Sequence, residues 1–424
     1  MVNILAAVLL AGPTHFAIVG DFGKDGVPEA NVAAMIAGWN PDFFVTTGDN
    51  NYETGAASTI DANIGKHYHN FIYNYTGSFG AGSATRRFYP VLGNHDWGNV
   101  NSNPTGANPY LAYFDLPGNE RYYTFTEGEC QFFMLDSDLN EPDGTSAASV
   151  QGQWLQTQLA SSLARYRIVL FHHAAYSSAQ HGSSTYMQWP FALWGADAVI
   201  SGHDHSYERL SVDGIPYFVN GLGGKSLYVW GTILNQSVFR YNSNYGAQQA
   251  WADNYLLRLD FINRTGATIE SFSMPSRYPS EVVPVLGSVE GSIETLFKSD
   301  NLWLVASSSV GKATFDVVLI PKVATPTSLR LEWQSRNATE SALDTALPYV
   351  ETVQVLNVAT SQWVTISTNK VKGTAVSSSV LLPGNPLDYV DPVTKQVRVR
   401  MNFIEKSRAK IIRAAVNYVR LLAQ

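Results

Sequence analysis

Short apolar runs punctuate the first two thirds of the chain, and each ends in a cluster of small and polar residues. Phe16-Ala17-Ile18-Val19, Phe43-Phe44-Val45-Thr46-Thr47, Arg87 to Leu92, Arg167 to Phe171 and Ala196 to Ser201 are four to six residues long. Runs of that length, bounded by turn residues, predict buried strands. Between them the period changes. Val32, Met35 and Ile36 share one face of a helix predicted over Pro28 to Trp39, with the proline near its start. Further helices are predicted through Ile60 to Tyr73 and over Val150 to Leu163, and paired strands over Tyr122 to Phe125 and Gln131 to Leu135. A loop rich in Asn, Pro and Gly runs from Asn99 to Asn119. Strands alternating with helices predict an α/β layered fold.

The pattern then becomes one of strands alone. Ile215 to Val219, Leu227 to Trp230, Tyr255 to Phe261 and Ala267 to Ser273 read as strands, the last two joined by a glycine turn at Asn263-Arg264-Thr265-Gly266. Pro275 to Pro284 reads as a linker. Beyond it short strands recur: Leu302 to Ser307, Thr314 to Leu319, Ser328 to Trp333, Thr352 to Leu356, Trp363 to Ser367, Ser377 to Leu381, Val397 to Phe403 and Ala414 to Leu421. The last also fits a helical period, but its β-branched residues favour a strand. That spacing predicts an all-β sandwich. The expected division is 1–13 as a leader or signal remnant, 14–283 as the α/β domain and 284–424 as an accessory β-sandwich.

Composition narrows the field only slightly. With 45% hydrophobic and 15% charged residues the chain has the make-up of a packed globular protein. Its net charge of -7 is spread out, and no Lys/Arg cluster forms the footprint that nucleic acid binding needs. A small phosphorylated substrate is compatible with this charge, because bound metal supplies positive charge that the count omits. One cysteine, Cys130, excludes an intrachain disulfide and reads as a core thiol beside Phe132 to Leu135. The apolar run Ile4 to Gly12 resembles the tail of a secretion signal without a preceding Lys or Arg; a buried strand or a leader fits it equally. Secretion, or a periplasmic or cell-surface location, is the expectation. No apolar run approaches the ~18 residues of a membrane span.

Candidate chemistry collects at the strand ends: Asp21, Asp49, Tyr52, Asn94, His172, and the pair His203 and His205 in Gly202-His203-Asp204-His205. Taken singly, each has a plainer role: a helix cap for Asp, a turn for Asn, core packing for Tyr. Together they make a metal-ligand set at the position where α/β folds place their ligands, outside the carboxyl ends of the strands. Carboxylate and phenolate oxygens suit a trivalent ion, and imidazole with amide suits a divalent one.

The ordered set Gly20-Asp21-x-Gly23, Gly48-Asp49-x-x-Tyr52, Gly93-Asn94-His95-Asp96, Val169-x-x-His172 and Gly202-His203-x-His205 resembles the five motifs of the purple acid phosphatases, within the wider calcineurin-like metallophosphoesterases. The resemblance covers about Phe16 to Ser273. It implies two mixed sheets flanked by helices. It also implies Fe(III) held by Asp21, Tyr52, His205 and a bridging Asp49, with a divalent Zn, Mn or Fe ion held by Asn94, His172, His203 and the same Asp49. Gly23 stands where most calcineurin-like enzymes have a histidine ligand, and Tyr52 supplies the replacement, whose charge transfer to iron colours the family. His172 rather than its neighbour His173 matches the spacing from Val169. The implied activity is acid-phosphatase-type hydrolysis of phosphate monoesters by metal-activated water, assisted by His95 and His181.

Two other readings stand beside this one. The same centre suits a phosphodiester or a nucleotide, since the pocket walls decide. Alternatively the C-terminal sandwich docks to a polysaccharide or cell surface, with the metal domain subsidiary. Asp96 is expected to support His95 or its turn, Asp204 to serve as a spacer, and His15, His67 and His69 to have no part in the site.

Overall fold

The computed structural model describes residues 13–98, 106–162, 164–253, 256–276, 281–290, 304–308, 312–321, 326–337, 349–371, 375–405 and 412–423. The chain divides into two compact units, Met1–Ser273 and Met274–Gln424. The apolar run Ile4 to Gly12 lies outside the described residues.

The first unit is built on two mixed sheets. Its strands are β1 (Thr14–Val19), β2 (Phe43–Thr46), β3 (Phe88–Tyr89), β4 (Tyr123–Glu127), β5 (Cys130–Met134), β6 (Tyr166–His173) and β7 (Ala198–Gly202). They continue with β8 (Tyr207–Val212), β9 (Ile215–Asn220), β10 (Ser237–Tyr241), β11 (Gly246–Ala252), β12 (Leu256–Asn263) and β13 (Thr268–Pro275). One sheet runs in the order β13-β12-β11-β1-β2-β3 and the other β10-β8-β9-β7-β6-β5-β4. β1, β2 and β3 are parallel neighbours, as are β5, β6, β7 and β9. Their near-continuous apolar sequences follow from this. A parallel strand is covered on both faces, so β2 and β7 are buried at every position.

An aromatic layer joins the sheets. Phe132 of β5 meets Phe16 and Phe43 edge-on, at 5.2 and 5.4 Å, and stacks on Phe125 at 4.9 Å. The opposite face of the second sheet carries Phe133, Val169, Phe171 and Val199, packed against Leu155 and Leu159 of a helix over Val150–Ser161 and against Phe191. Alternation along each strand sorts the side chains between these two layers. The expected α/β architecture of two mixed sheets with flanking helices is what the unit has.

Several details differ from expectation. The helix expected through Ile60 to Tyr73 is three short helical pieces between Asp61 and Phe71. Leu227 to Trp230 is a loop, with one bridge from Trp230 to Ala179. The strands Tyr207–Val212, Ser237–Tyr241 and Gly246–Ala252 carry no simple apolar alternation and escaped the pattern. Within the expected loop from Asn99 to Asn119, residues 99–105 lie outside the described residues, and Asn108–Tyr113 forms a helix with Pro109 in its first turn.

The second unit is all-β. One sheet takes the order Glu281–Leu286, Lys312–Leu319, Val397–Glu405, Tyr349–Asn357, Gln362–Val371. The other takes Ser288–Glu290, Leu304–Ser308, Ile412–Ala423, Leu329–Asn337, Val376–Leu381. Among the described residues the strand pairings of this unit are antiparallel. Residues of both sheets, among them Phe315, Trp333, Val353, Met401 and Val416, share one buried core. The ambiguous last segment is a strand, and Glu281–Pro284, from the stretch expected as a linker, already lies in one.

Truncating Phe132 removes the residue that both faces of the aromatic layer touch. Phe132→Ala is expected to cost about 3–5 kcal/mol of stability, read from urea unfolding of the full chain.

Candidate metal centre

The carboxyl ends of β1, β2, β6 and β7 and the turn after β3 converge, and they bring all seven predicted ligand residues together. β1 delivers Asp21, β2 delivers Asp49 and Tyr52, β6 delivers His172, and β7 delivers His203 and His205. Asn94 opens a short helix, Asn94–Trp97, just past β3. Asp21, Asp49 and His203 hold φ of 56°, 54° and 71°. Left-handed backbone at non-glycine residues is costly and persists where surrounding contacts enforce it.

The side chains fall into two adjoining groups. In the first, the Tyr52 hydroxyl lies 3.2 Å from both Asp21 Oδ1 and His205 Nε2, and the latter two are 3.3 Å apart. In the second, His172 Nε2 lies 3.0 Å from Asn94 Oδ1 and 3.2 Å from His203 Nδ1. Asp49 Oδ1 stands 3.3 Å from His172 Nε2. Asp21, Asp49 and His172 each place a ligand atom within 4.8 Å of the others.

Hydrogen bonding fixes which atoms face inward. His172 Nδ1 donates to the Thr47 carbonyl at 2.8 Å, so in the neutral ring Nε2 is a lone pair aimed at Asn94 Oδ1 and Asp49 Oδ1. Acceptors facing acceptors need a proton or a metal ion between them. Burial acts to neutralise His172, but Asp49 overrides it and pulls the imidazole up to about 10. Burial together with Asp49 and Asp21 pushes the Tyr52 phenol well above its usual range, so it becomes a phenolate only beside strong positive charge. The donor set therefore fits metal binding: oxygen-rich around Tyr52, nitrogen and amide around His172.

A supporting layer orients the donors, as metal sites require. Ser226 Oγ lies 2.5 Å from His205 Nδ1, and Tyr228 stacks on the His205 ring at 4.0 Å. The Asp21 carboxylate accepts from the His203 amide at 3.0 Å, and Asp49 Oδ1 accepts from the His95 amide at 2.9 Å. Asp96 accepts from the Gly93 and Asn50 amides and the Asn50 side chain, binding the third motif to the second. Burial and Asp49 raise its carboxyl to about 6.

The remaining histidines separate cleanly. His95 sits beside Tyr52, ring centroids 4.4 Å apart, with Nδ1 donating to the Glu53 carbonyl at 2.6 Å and Nε2 3.9 Å from Asp49 Oδ2. His181 stacks on His203 at 4.2 Å. His173 is held by Ser137 Oγ at 3.0 Å and burial lowers it to about 3. His67 pairs with Asp25, His69 bonds the Gly65 carbonyl and His15 stacks on Trp251, each remote from the ligand groups in its contacts.

Asp204 is more than the expected spacer. Its carboxylate accepts from the amides of His181 and Gly182 and from Ser177 Oγ, so it ties the His181 loop to the β7 turn. Ser226, Tyr228 and Lys225 were missed entirely. The signal was Gly221-Leu222-Gly223-Gly224 just before them, a run that marks close backbone approach.

Residues 14–207 match the calcineurin-like phosphoesterase family. The chain is 28% identical to purple acid phosphatase 17 of Arabidopsis thaliana over 247 residues, covering 51% of this chain and 70% of that one. It is 26% identical to human tartrate-resistant acid phosphatase type 5, covering 49% and 72%. A purple acid phosphatase from yellow lupin seeds superposes with a TM-score of 0.51 at 22% identity, over 62% of this chain and 54% of that one, and so shares the fold. The chain thus carries a calcineurin-like phosphoesterase domain and is a metal-dependent hydrolase of phosphoric esters. Its homologues include purple acid phosphatases.

Gly48 tests the packing of the centre. At φ +92°, an added Cβ would meet His172 Nδ1 at 2.7 Å, whereas Gly182, at φ +72°, has open space around it. Added Zn²⁺ is expected to raise the melting temperature of the native protein, Gly48→Ala to abolish that rise and Gly182→Ala to preserve it.

Proposed function

We propose that the chain hydrolyses phosphate monoesters at a binuclear centre. Fe(III) is assigned to Asp21, Tyr52, His205 and Asp49, and a divalent Zn, Mn or Fe ion to Asn94, His172, His203 and the same Asp49. The observation that carries this reading is the pair of adjoining donor groups, each with contacts of 3.0–3.3 Å, with Asp49 against the second group and electrostatically coupled to Tyr52 in the first.

Metal ions bound there supply Lewis acidity, polarising phosphoryl oxygens and lowering the pKa of water. The protein contributes orientation and proton transfer. The Glu53 carbonyl fixes His95 Nδ1–H and directs Nε2 toward the Asp49 side of the cleft. As imidazolium, His95 Nε2–H donates to the leaving alkoxide, a contribution of typically ~10²–10⁴ in rate. His95 is one-third exposed, so solvent can restore its proton. His181, exposed at the rim and anchored through Asp204, is assigned to the ester oxygens on the His203 side.

Purified iron-loaded protein is expected to absorb in the visible, and Tyr52→Phe to lose that absorption while retaining its far-UV circular dichroism. A colourless native protein would remove the ferric–phenolate assignment. For the reaction, p-nitrophenyl phosphate is expected to be hydrolysed at least ~10-fold faster than bis-p-nitrophenyl phosphate, and His95→Asn to lower kcat on the monoester by ~10²-fold or more. Preference for the diester would favour a phosphodiesterase on the same centre.

A further inference from the structure

Lys225 has no place in the ligand set, yet its ammonium lies 4.6 Å from the centroid of the Tyr52 ring. Its segment is fastened to both halves of the first donor group. The Gly223 amide donates to the Gly20 carbonyl at 2.9 Å, and the Lys225 amide to the Asp21 carbonyl at 3.1 Å. The next residue, Ser226, holds His205 Nδ1. The backbone that positions Asp21 and His205 therefore also sets Lys225 over Tyr52.

Within the group formed by Lys24, Glu53 and Lys225 the positive charge is not cancelled. Lys225 pairs with Glu53, but Glu53 is shared with Lys24, whose ammonium lies 2.5 Å from the same oxygen. Two ammonium groups against one carboxylate leave one net positive charge. The Lys225 side chain is only 18% exposed, while those of Glu53 and Lys24 are 53% exposed. Water screens the outer pair more than the inner ammonium. A cation over an aromatic face is held by the ring's electrons and in turn lowers their energy.

We propose that Lys225 is a positioning residue acting through Tyr52, withdrawing electron density from the ring and so tuning how strongly its oxygen donates to a bound ferric ion. This rests on the ferric–phenolate assignment above. Strong phenolate donation weakens the Lewis acidity of the ion it binds. A lysine over the ring limits that donation and keeps the centre electrophilic while Tyr52 remains a ligand. Glu53 sets the strength of the effect, because it lies between the two lysines and next to Tyr52 in sequence.

The test is the visible spectrum of the full-length iron-loaded protein beside steady-state kinetics on p-nitrophenyl phosphate. Lys225→Met is expected to move the charge-transfer band to longer wavelength by on the order of 10 nm, as loss of a partly screened unit charge at this distance implies. It is also expected to lower kcat with little change in KM. Lys225→Arg should restore the native band. Glu53→Gln, which leaves the lysines uncompensated, should move the band to shorter wavelength and guards against a poorly folded Lys225→Met. A coloured protein whose band moves in neither variant overturns the proposal and leaves the metal assignment standing. An unmoved band with a raised KM in Lys225→Met also overturns it, by making the lysine a substrate contact. A colourless native protein overturns both readings.

Discussion

Everything at this site depends on the cost of burying electron-rich groups beside one another. Two carboxylates, an amide oxygen, a phenol and three imidazoles converge where parallel strands end, and most are shielded from water. With its Nδ1 committed to the Thr47 carbonyl, His172 turns Nε2 toward two oxygens. Such an arrangement is stable only with positive charge inside it, either a proton on His172 or a metal ion. The strained backbone at Asp21, Asp49 and His203 has the same origin. These residues are held in left-handed conformations by the contacts that aim them inward.

The fold supplies the rigidity that this convergence requires. β1, β2 and β3 bring the first three motifs side by side in one sheet, and β6 and β7 bring the last two in the other. The Phe16–Phe43–Phe132 contact locks the two sheets face to face. Glycines let the motif backbones approach. A Cβ at Gly93 would meet Asp49 Oδ1 at 2.3 Å, and one at Gly48 would meet the His172 ring. Outside the donors, Ser226 and the Glu53 carbonyl hold the His205 and His95 side chains, Asp204 and Asp96 fasten the backbone of the His181 loop and of the Gly93 turn, and Lys225 adds a charge over Tyr52.

Legibility in the sequence followed the strength of the local signal. Buried parallel strands were readable because their apolar runs are continuous. The strands Ser237–Tyr241 and Gly246–Ala252 were not: the first is only half-buried, and the second, though largely buried, is built of Gly, Ala and Gln around a single Trp, so neither shows a continuous run of large apolar residues. Leu227 to Trp230 looked like a strand from its bulky residues. Tyr228 instead packs against His205, with its amide on the His205 carbonyl, while Leu227 and Val229 are exposed. The helix through Ile60 to Tyr73 breaks into short turns, with Asn63 bonding Asn51 and the Tyr52 carbonyl to brace the second motif.

The sequence by itself determined the strand-end placement of the seven candidate ligand residues, since that placement is local: an apolar run followed, directly or after a glycine, by a donor. It also determined the donor types, and with them the class of metal chemistry. Only the tertiary structure decided which donors meet. Asp21 faces His205 across more than 180 residues of chain, and Asn94 faces His172. It alone revealed the parts played by Asp204, Ser226 and Lys225, because those depend on distances between loops that no local pattern encodes. Pairings across such separations are set by the sheet order and the packing between the sheets, which the chain specifies only as a whole.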